Sequence, residues 1–341
     1  MKTTEIILAR RPEGIPGKDV FRFQEKTLPA LKEGEVLLKP FLISVDPYLR
    51  GRMNDAKSYI PPFEVGAAIE SAATAEVLES KSPLFKPGDA VLGFLPWATG
   101  CIQPAGKLRS IDTGVAPAGY YLGILGMPGL TAYFGLMDIG KPKTGNTLVV
   151  SGAAGAVGLV VGQIGKLKGC RVVGIAGSVQ KCRMLKEEFG FDETIDYKNE
   201  QNLGDALKKA CPDGVDIYFD NVGGEITDAV IRRINFNGRI VLCGQIAGYN
   251  ETRESTGPRL FSHILTRSVL MQGFIIGNYK DRFAEGMKDL ASWLKEGRLK
   301  YKETEVAGFD HLPEAFLGLF AGKNEGKMLV RTAPNPNVNI R

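Results

Sequence analysis

A chain of 341 residues is long enough for about two domains, and with 44% apolar residues it can bury its cores without disulfides or metals. Its 43 Lys and Arg against 38 Asp and Glu leave a formal charge of only +5, scattered in pairs such as Arg10-Arg11, Lys208-Lys209 and Arg232-Arg233. These numbers exclude a disordered, collagen-like or disulfide-framed chain and speak against a nucleic-acid or anionic-lipid partner, while the balance suits a small anionic ligand.

In chain order, the first eleven residues, from Met1 to Arg11, return to charge too soon to hold a signal-peptide apolar core. Up to about Met127 the pattern is one of short strands with turn punctuation. Glu35–Ile43 and Ala90–Phe94 are apolar runs, each entered through a glycine turn, and prolines at 61, 62, 83, 87 and 96 exclude long helices. Asp46-Pro47 predicts a short helix, Asp46 capping its orphan amides and Pro47 in the first helical position.

From about residue 128 the rhythm becomes strand–helix alternation. Thr147–Ser151 reads as a strand, and Val157, Val160, Val161 and Ile164 then fall on one face of a helix. Arg171–Ala176 is the next strand, with a helix around Gln180–Phe189. Further strands are predicted at Thr194–Tyr197, Val215–Phe219, Arg239–Cys243 and Val269–Phe274, and helices at Leu203–Ala210, Glu225–Ile234 and Arg282–Lys295. Such alternation implies right-handed crossovers and a mostly parallel sheet. Past about Leu299 the pattern turns extended and irregular, so this stretch is expected to rejoin the first lobe. The uncharged stretches Gly114–Met137 and Thr144–Gly165 carry too many breakers and small residues for membrane spans.

Five cysteines, at 101, 170, 182, 211 and 243, form no C-x-x-C pair and point to reduced thiols in the cytoplasm. The two histidines, His263 and His311, have no second plausible ligand near them in sequence, so the supply for zinc is poor. The strongest chemical signal is the turn from Ser151 to Gly158, set between the strand and helix above. Small residues there let the backbone approach a pyrophosphate at a helix N-terminus. Gly155 and Gly158 match the second and third glycines of G-x-G-x-x-G, with Ala153 in the first position. An NAD-specific site offers Asp or Glu at the end of the second strand. This chain gives Ala176-Gly177-Ser178-Val179-Gln180-Lys181-Cys182-Arg183, without an acid. Lys181, Ser178 and Arg183 favour a 2′-phosphate, hence NADP(H) over NAD(H).

Gly126-Met-Pro-Gly-Leu-Thr-Ala-Tyr-Phe-Gly135, the Ala153–Gly158 turn, Gly165-Lys-Leu-Lys-Gly-Cys-Arg-Val-Val-Gly174 and Phe219-Asp-Asn-Val-Gly-Gly224 together resemble the zinc-independent medium-chain dehydrogenase/reductases. The resemblance is closest to the prostaglandin reductase, leukotriene dehydrogenase and alkenal double-bond reductase branch, its bacterial curcumin-type members above all. It runs from Asp46-Pro-Tyr-Leu-Arg50 to Gly322-Lys-Asn-Glu-Gly-Lys327.

This resemblance implies an α/β fold: a Rossmann doubly wound parallel sheet over 128–298, and a GroES-like β-rich catalytic domain formed by 1–127 and 299–341. NADPH is expected in the cleft between them. Ala153, Ala154, Gly155, Ala156 and Val157 would take the pyrophosphate, and Gly177, Ser178, Lys181 and Tyr197 the adenosine ribose and its phosphate. Asn221, the segment from Cys243 and Gly244 to Tyr249, and Phe274, Ile275 and Ile276 would line the nicotinamide side, with Asn324 completing the site. The implied reaction is metal-free hydride transfer to the β-carbon of a small enone or enal, with donors stabilising the enolate oxygen. Tyr249 is the first candidate donor, aided by a cofactor ribose hydroxyl, and Tyr48 the second. The alternative is that Tyr249 only holds the cofactor, Tyr48 only packs, and solvent supplies the proton. Asp46 lies where a zinc-dependent member would carry a cysteine. Other functions open to the sequence are quinone reduction and NADPH sensing without turnover. Family resemblance also suggests a homodimer.

Overall fold

Strands β1 (Lys2–Leu8) and β2 (Phe21–Thr27) pair antiparallel as a two-stranded sheet, Leu8 opposite Phe21. In β3 (Glu35–Ser44), buried Val36 and Leu38 alternate with more exposed neighbours before a fully buried run from Pro40. The helix expected at Asp46-Pro47 begins later, as the single turn α1 (Leu49–Arg52) with Tyr48 at its N-cap. The Asp46 carboxylate, three residues before it, accepts the Ser44 hydroxyl. β4 (Glu70–Ser80), β5 (Ala90–Pro96), β6 (Cys101–Pro104) and β7 (Arg109–Ser110) continue the antiparallel lobe. Two helices follow, α2 (Ala118–Leu122) and α3 (Met127–Phe134), the latter running into a π-helical turn over Gly135–Gly140.

The alternating region forms β8 (Thr147–Ser151), α4 (Gly158–Leu167), β9 (Arg171–Ala176), α5 (Val179–Glu187), β10 (Glu193–Asp196), α6 (Leu203–Ala210), β11 (Val215–Asp220), α7 (Gly224–Ile231), β12 (Ile234–Leu242), α8 (Phe261–Thr266), β13 (Leu270–Gly273) and α9 (Phe283–Lys295). Every residue of β8 is buried, as a central parallel strand covered on both faces requires. The six strands pair in parallel in the order β10-β9-β8-β11-β12-β13. This is the doubly wound Rossmann arrangement, whose order reverses between β8 and β11; ligands of such sheets bind beyond the carboxyl ends of the strands at that point. Predicted boundaries hold within a few residues, except that β12 starts at Ile234 and takes residues the sequence assigned to the preceding helix and its turn.

The stretch expected to be extended and irregular holds two strands, β14 (Glu303–Ala307) and β15 (Lys327–Arg331), and between them an unexpected helix α10 (Leu312–Phe320). The helix escaped the sequence reading because Leu-Pro-Glu-Ala-Phe-Leu-Gly-Leu-Phe carries both Pro and Gly in an apolar run. Pro313 sits in the first turn, where a missing N–H costs nothing. β15 pairs antiparallel with β3, Leu329 opposite Ser44, completing a seven-stranded sheet in the order β14-β15-β3-β4-β5-β7, with β6 on β3.

The computed structural model describes residues 1–334, so 335–341 of the expected return lie outside the described residues. Two compact units result among the described residues: 1–122, 303–324 and 328–334 form one, and 123–302 with 325–327 the other. Among the described residues no helix is long and apolar enough to cross a membrane.

Candidate functional site

At the end of β8 the chain turns through Gly152, which is left-handed at φ 58°. Gly152, not the first motif position, is therefore the tight-turn residue, and the motif position is filled by the fully buried Ala153. Gly155 donates back to the Gly152 carbonyl at 3.0 Å, and α4 starts with no side-chain cap. Among the described residues no acceptor stands opposite the amides of Ala156, Val157 and Gly158. These are the orphan donors of a helix N-terminus, aimed where an anion gains from them and from the helix dipole. A Cβ on Gly158 would lie 2.4 Å from the Gly152 carbonyl, so the cradle closes only around glycine. The Gly326 amide donates to the Ala154 carbonyl at 2.8 Å, pinning the outer side of the turn.

At the end of β9, Ser178 takes the N-cap of α5 and its Oγ accepts from the Lys181 amide at 3.2 Å. Its hydroxyl proton remains to be donated. The space a Gly177 Cβ would occupy is bounded by the Tyr197 ring at 2.9 Å and the Lys198 side chain at 3.1 Å. Gly177, Ser178, Lys181 and Tyr197 thus come together, with Lys198 as a further cation. Burial pulls the Lys181 ammonium below the ordinary lysine range, the Glu325 carboxylate opposes this, and Lys198 adds to the lowering. Glu325 is itself paired to Lys302 at 3.1 Å. Lys181 and Lys198 repel each other here, with Glu325 the opposing acid beside Lys181, and an added phosphate would offset that repulsion. Arg183 is exposed on α5.

Beyond β11 the organising group is Asp220, fully buried. Its Oδ1 accepts from Ser151 Oγ at 3.0 Å, Tyr218 Oη at 2.9 Å, and the amides of Val222 and Gly223 at 3.0 and 2.9 Å. Its Oδ2 accepts from Thr227 Oγ1 at 2.6 Å and Gln245 Nε2 at 3.2 Å. The Asp220 carbonyl also receives the amides of Cys243 and Gly244 at 2.9 and 3.0 Å. Asn221 ties the two strand ends together, its side-chain amide donating to the Ser151 carbonyl at 2.8 Å.

The segment after β12 then borders a cavity of about 640 Å³ lined by Thr227, Leu242–Gln245, Tyr249, Met271, Gly273–Ile275 and Asn278. Of the residues expected on this side, Cys243, Gly244, Tyr249, Phe274 and Ile275 line it; Asn221 and Ile276 do not. Burial, reinforced by Asp220, pushes the Cys243 thiol up to about 12. Burial also raises the Tyr249 hydroxyl above its ordinary value, against a weak 3.5 Å hydrogen bond from the Gln245 amide. Tyr249 is thus a neutral donor at neutral pH. Sequence reasoning did not single out Gly152, Lys198, Asp220 or Gln245. Asp220 and Gln245 sat inside quoted segments but, being chemically ordinary there, gave no separate signal.

Tyr48 and Asn324 belong to the first unit. The Tyr48 hydroxyl is buried and has no hydrogen-bond partner among the described residues; burial, then Asp46, raises its pKa. A buried phenol without an acceptor costs free energy unless a ligand supplies one. Among the described residues no group of three or more His, Cys, Asp or Glu stands in a metal-holding arrangement.

Two family descriptions match the chain: N-terminal domain of oxidoreductase over residues 4–111, and zinc-binding dehydrogenase over 156–293. YfmJ of Bacillus subtilis is 55% identical over 331 residues, covering 96% of this chain and 97% of its own. The NADPH-dependent curcumin reductase of Escherichia coli is 43% identical over 332 residues, covering 96% of each. The crystal structure of CurA from Vibrio vulnificus in complex with NADPH matches with a TM-score of 0.93 at 43% identity, covering 97% of this chain and 100% of that one. By these relationships the chain belongs to the medium-chain dehydrogenase/reductase superfamily, in the branch of the prostaglandin, 2-alkenal and curcumin reductases.

Proposed function

We propose that this protein is an NADPH-dependent reductase of the carbon–carbon double bond in α,β-unsaturated ketones and aldehydes, working without a metal. The observation that carries the reading is a neutral tyrosine hydroxyl, Tyr249, on a partly apolar cavity in the same unit as a built anion cradle. The chain's similarity to an NADPH-dependent curcumin reductase and an NADP-dependent 2-alkenal reductase supports the same chemistry.

Ala153–Val157 and the amide of Gly158 would hold the pyrophosphate; Ser178, Lys181 and Lys198, against Gly177 and Tyr197, would hold the ribose phosphate. NADPH, when bound, supplies the hydride. The chain's own work is electrostatic. As the enone gains hydride at its β-carbon, charge grows on the carbonyl oxygen, and the Tyr249 hydroxyl donates a hydrogen bond to it in surroundings where such a bond is strong; a proton from solvent to the α-carbon then completes the saturated carbonyl. Leu242, Met271, Phe274 and Ile275 keep that oxygen out of bulk water. Tyr48, in the first unit, keeps a buried hydroxyl with no hydrogen-bond partner among the described residues.

The test is a panel of enals, enones and quinones with NADPH, before and after chelator dialysis, with product identification. A saturated carbonyl product, undiminished by the chelator, is expected. Hydroquinone as the sole product, zinc-restored activity, or NADPH bound but never oxidised would each overturn the reading.

We also propose a cytoplasmic homodimer. All five cysteines are free, which fits a reducing compartment, and β13 offers a second copy an open sheet edge, all four of its residues exposed.

A further inference from the structure

We infer that Gln245 is the positioning residue that aims the Tyr249 hydroxyl into the cavity, with buried Asp220 as its anchor; this rests on the proposed donor role of Tyr249. Among the described residues, Gln245 alone is hydrogen-bonded to both the Asp220 carboxylate and the Tyr249 hydroxyl. Its side-chain amide donates to Asp220 Oδ2 at 3.2 Å, and its backbone amide points at Tyr249 Oη at 3.5 Å.

A phenol has one proton and a limited set of lone pairs. With a lone pair facing the Gln245 amide, the Tyr249 proton is turned away from the backbone and left for an acceptor in the cavity. The contact is long enough that small movements of the segment would lose it, so its direction depends on how firmly residue 245 is held.

That hold is built from several sides. Asp220 draws donors from β8, from β11 and from Thr227 of α7, so it is fixed independently of the segment it anchors. The neighbouring amides of Cys243 and Gly244 bind the Asp220 carbonyl, and Ala247 binds the Val222 carbonyl at 3.0 Å. The Gln245 carbonyl accepts from Gly248 at 2.9 Å, which winds the turn that brings Tyr249 back. A Cβ on Gly223 would lie 2.2 Å from Gln245 Oε1, so the carboxamide fills a slot that the Gly223 position keeps open. Six donors satisfy the carboxylate, but Gln245 alone among them lies on the Tyr249 segment. Without its side chain, the segment keeps its backbone bonds and loses the one tie that sets the orientation of residue 245.

The test is a double-mutant cycle of Gln245→Met and Tyr249→Phe, read as kcat and KM for an enone, with NADPH affinity from direct titration. Gln245→Met keeps bulk and removes the donor. It should lower kcat about tenfold to a hundredfold, the scale of a misaimed catalytic group, with KM and NADPH affinity within about twofold. In the Tyr249→Phe background the same change should cost less than about twofold, because there is no hydroxyl left to aim. Full additivity, or a wild-type rate for Gln245→Met, would overturn the inference and leave the role of Tyr249 standing. A wild-type rate for Tyr249→Phe alone would overturn both. Should Gln245→Met fail to fold or to bind NADPH, Gln245→Asn, which keeps the carboxamide but withdraws it by one methylene, is read through the same cycle.

Discussion

Lys181 illustrates how a single side chain divides two cofactors that differ by one phosphate. It is partly buried, and burial and Lys198 both pull its ammonium below the ordinary range against the opposing Glu325, so an added dianion would offset the repulsion between the two cations and accept hydrogen bonds from them. A ribose without the phosphate gains little. Lys181→Ala should therefore weaken NADPH binding about tenfold or more, roughly 1.4 kcal/mol, and change NADH binding by less than about twofold, as read by calorimetry. Equal losses for both would mean that the substitution damaged the turn instead of removing phosphate recognition. Lys181 and Ser178 were legible in the sequence because they follow directly on a strand end that lacks an acid. Lys198 was not: it arrives from the end of β10, and only the parallel pairing of β10 with β9, Asp196 beside Ala176, brings it to Gly177.

Whole elements were legible where burial imposes a period or a continuous apolar run, as in β8, β9 and α4. They were not where small residues or breakers mask the pattern. β4 is eleven residues long yet carries Ala72, Ala73 and Ala75, which fit a close antiparallel pairing but send no strand signal by themselves. α10 is the sharper case. Its apolar face of Leu312, Ala315, Phe316 and Leu319 joins the core of the first unit, where Phe316 meets Trp97 and Phe21 edge-on at ring separations of 6.4 and 6.1 Å. A helix with Pro and Gly in a nine-residue run has poor intrinsic propensity, so this packing must hold it in place. Phe316→Ala removes a fully buried ring and should destabilise the first unit by about 3–5 kcal/mol, measured by denaturant unfolding. A loss below about 1 kcal/mol would mean that α10 is held by something other than its aromatic face.

For the molecule as a whole, the sheet that carries the candidate site ends on one side in an open strand. β13 bonds only to β12, and its outer row of backbone groups has no strand beside it among the described residues. Such an edge invites pairing, and soluble proteins usually blunt it with charge or cover it. Here Leu270, Met271, Gln272 and Gly273 carry no charge, while Phe261 and Leu265 of α8, just before the strand, are 76% and 79% exposed, and Phe236 of β12 is 73% exposed. A second copy related by a two-fold axis would lay β13 antiparallel to itself, satisfying the edge and covering apolar surface in one interface. Met271 and Gly273 also line the cavity beside Tyr249, so pairing there would enclose the proposed reaction site further. Light scattering should give twice the chain mass for the native protein, and the pair Leu270→Lys and Gln272→Lys, neither of which lines the cavity, should yield monomers, because a lysine in each half of the interface faces its own copy. Monomers should also bind NADPH with unchanged affinity, since the phosphate cradle lies at β8 and β9, and lose turnover if enclosure by the second copy keeps water from the enolate oxygen. A native protein that sediments as a monomer, or lysine variants that remain dimeric, would move the interface away from β13.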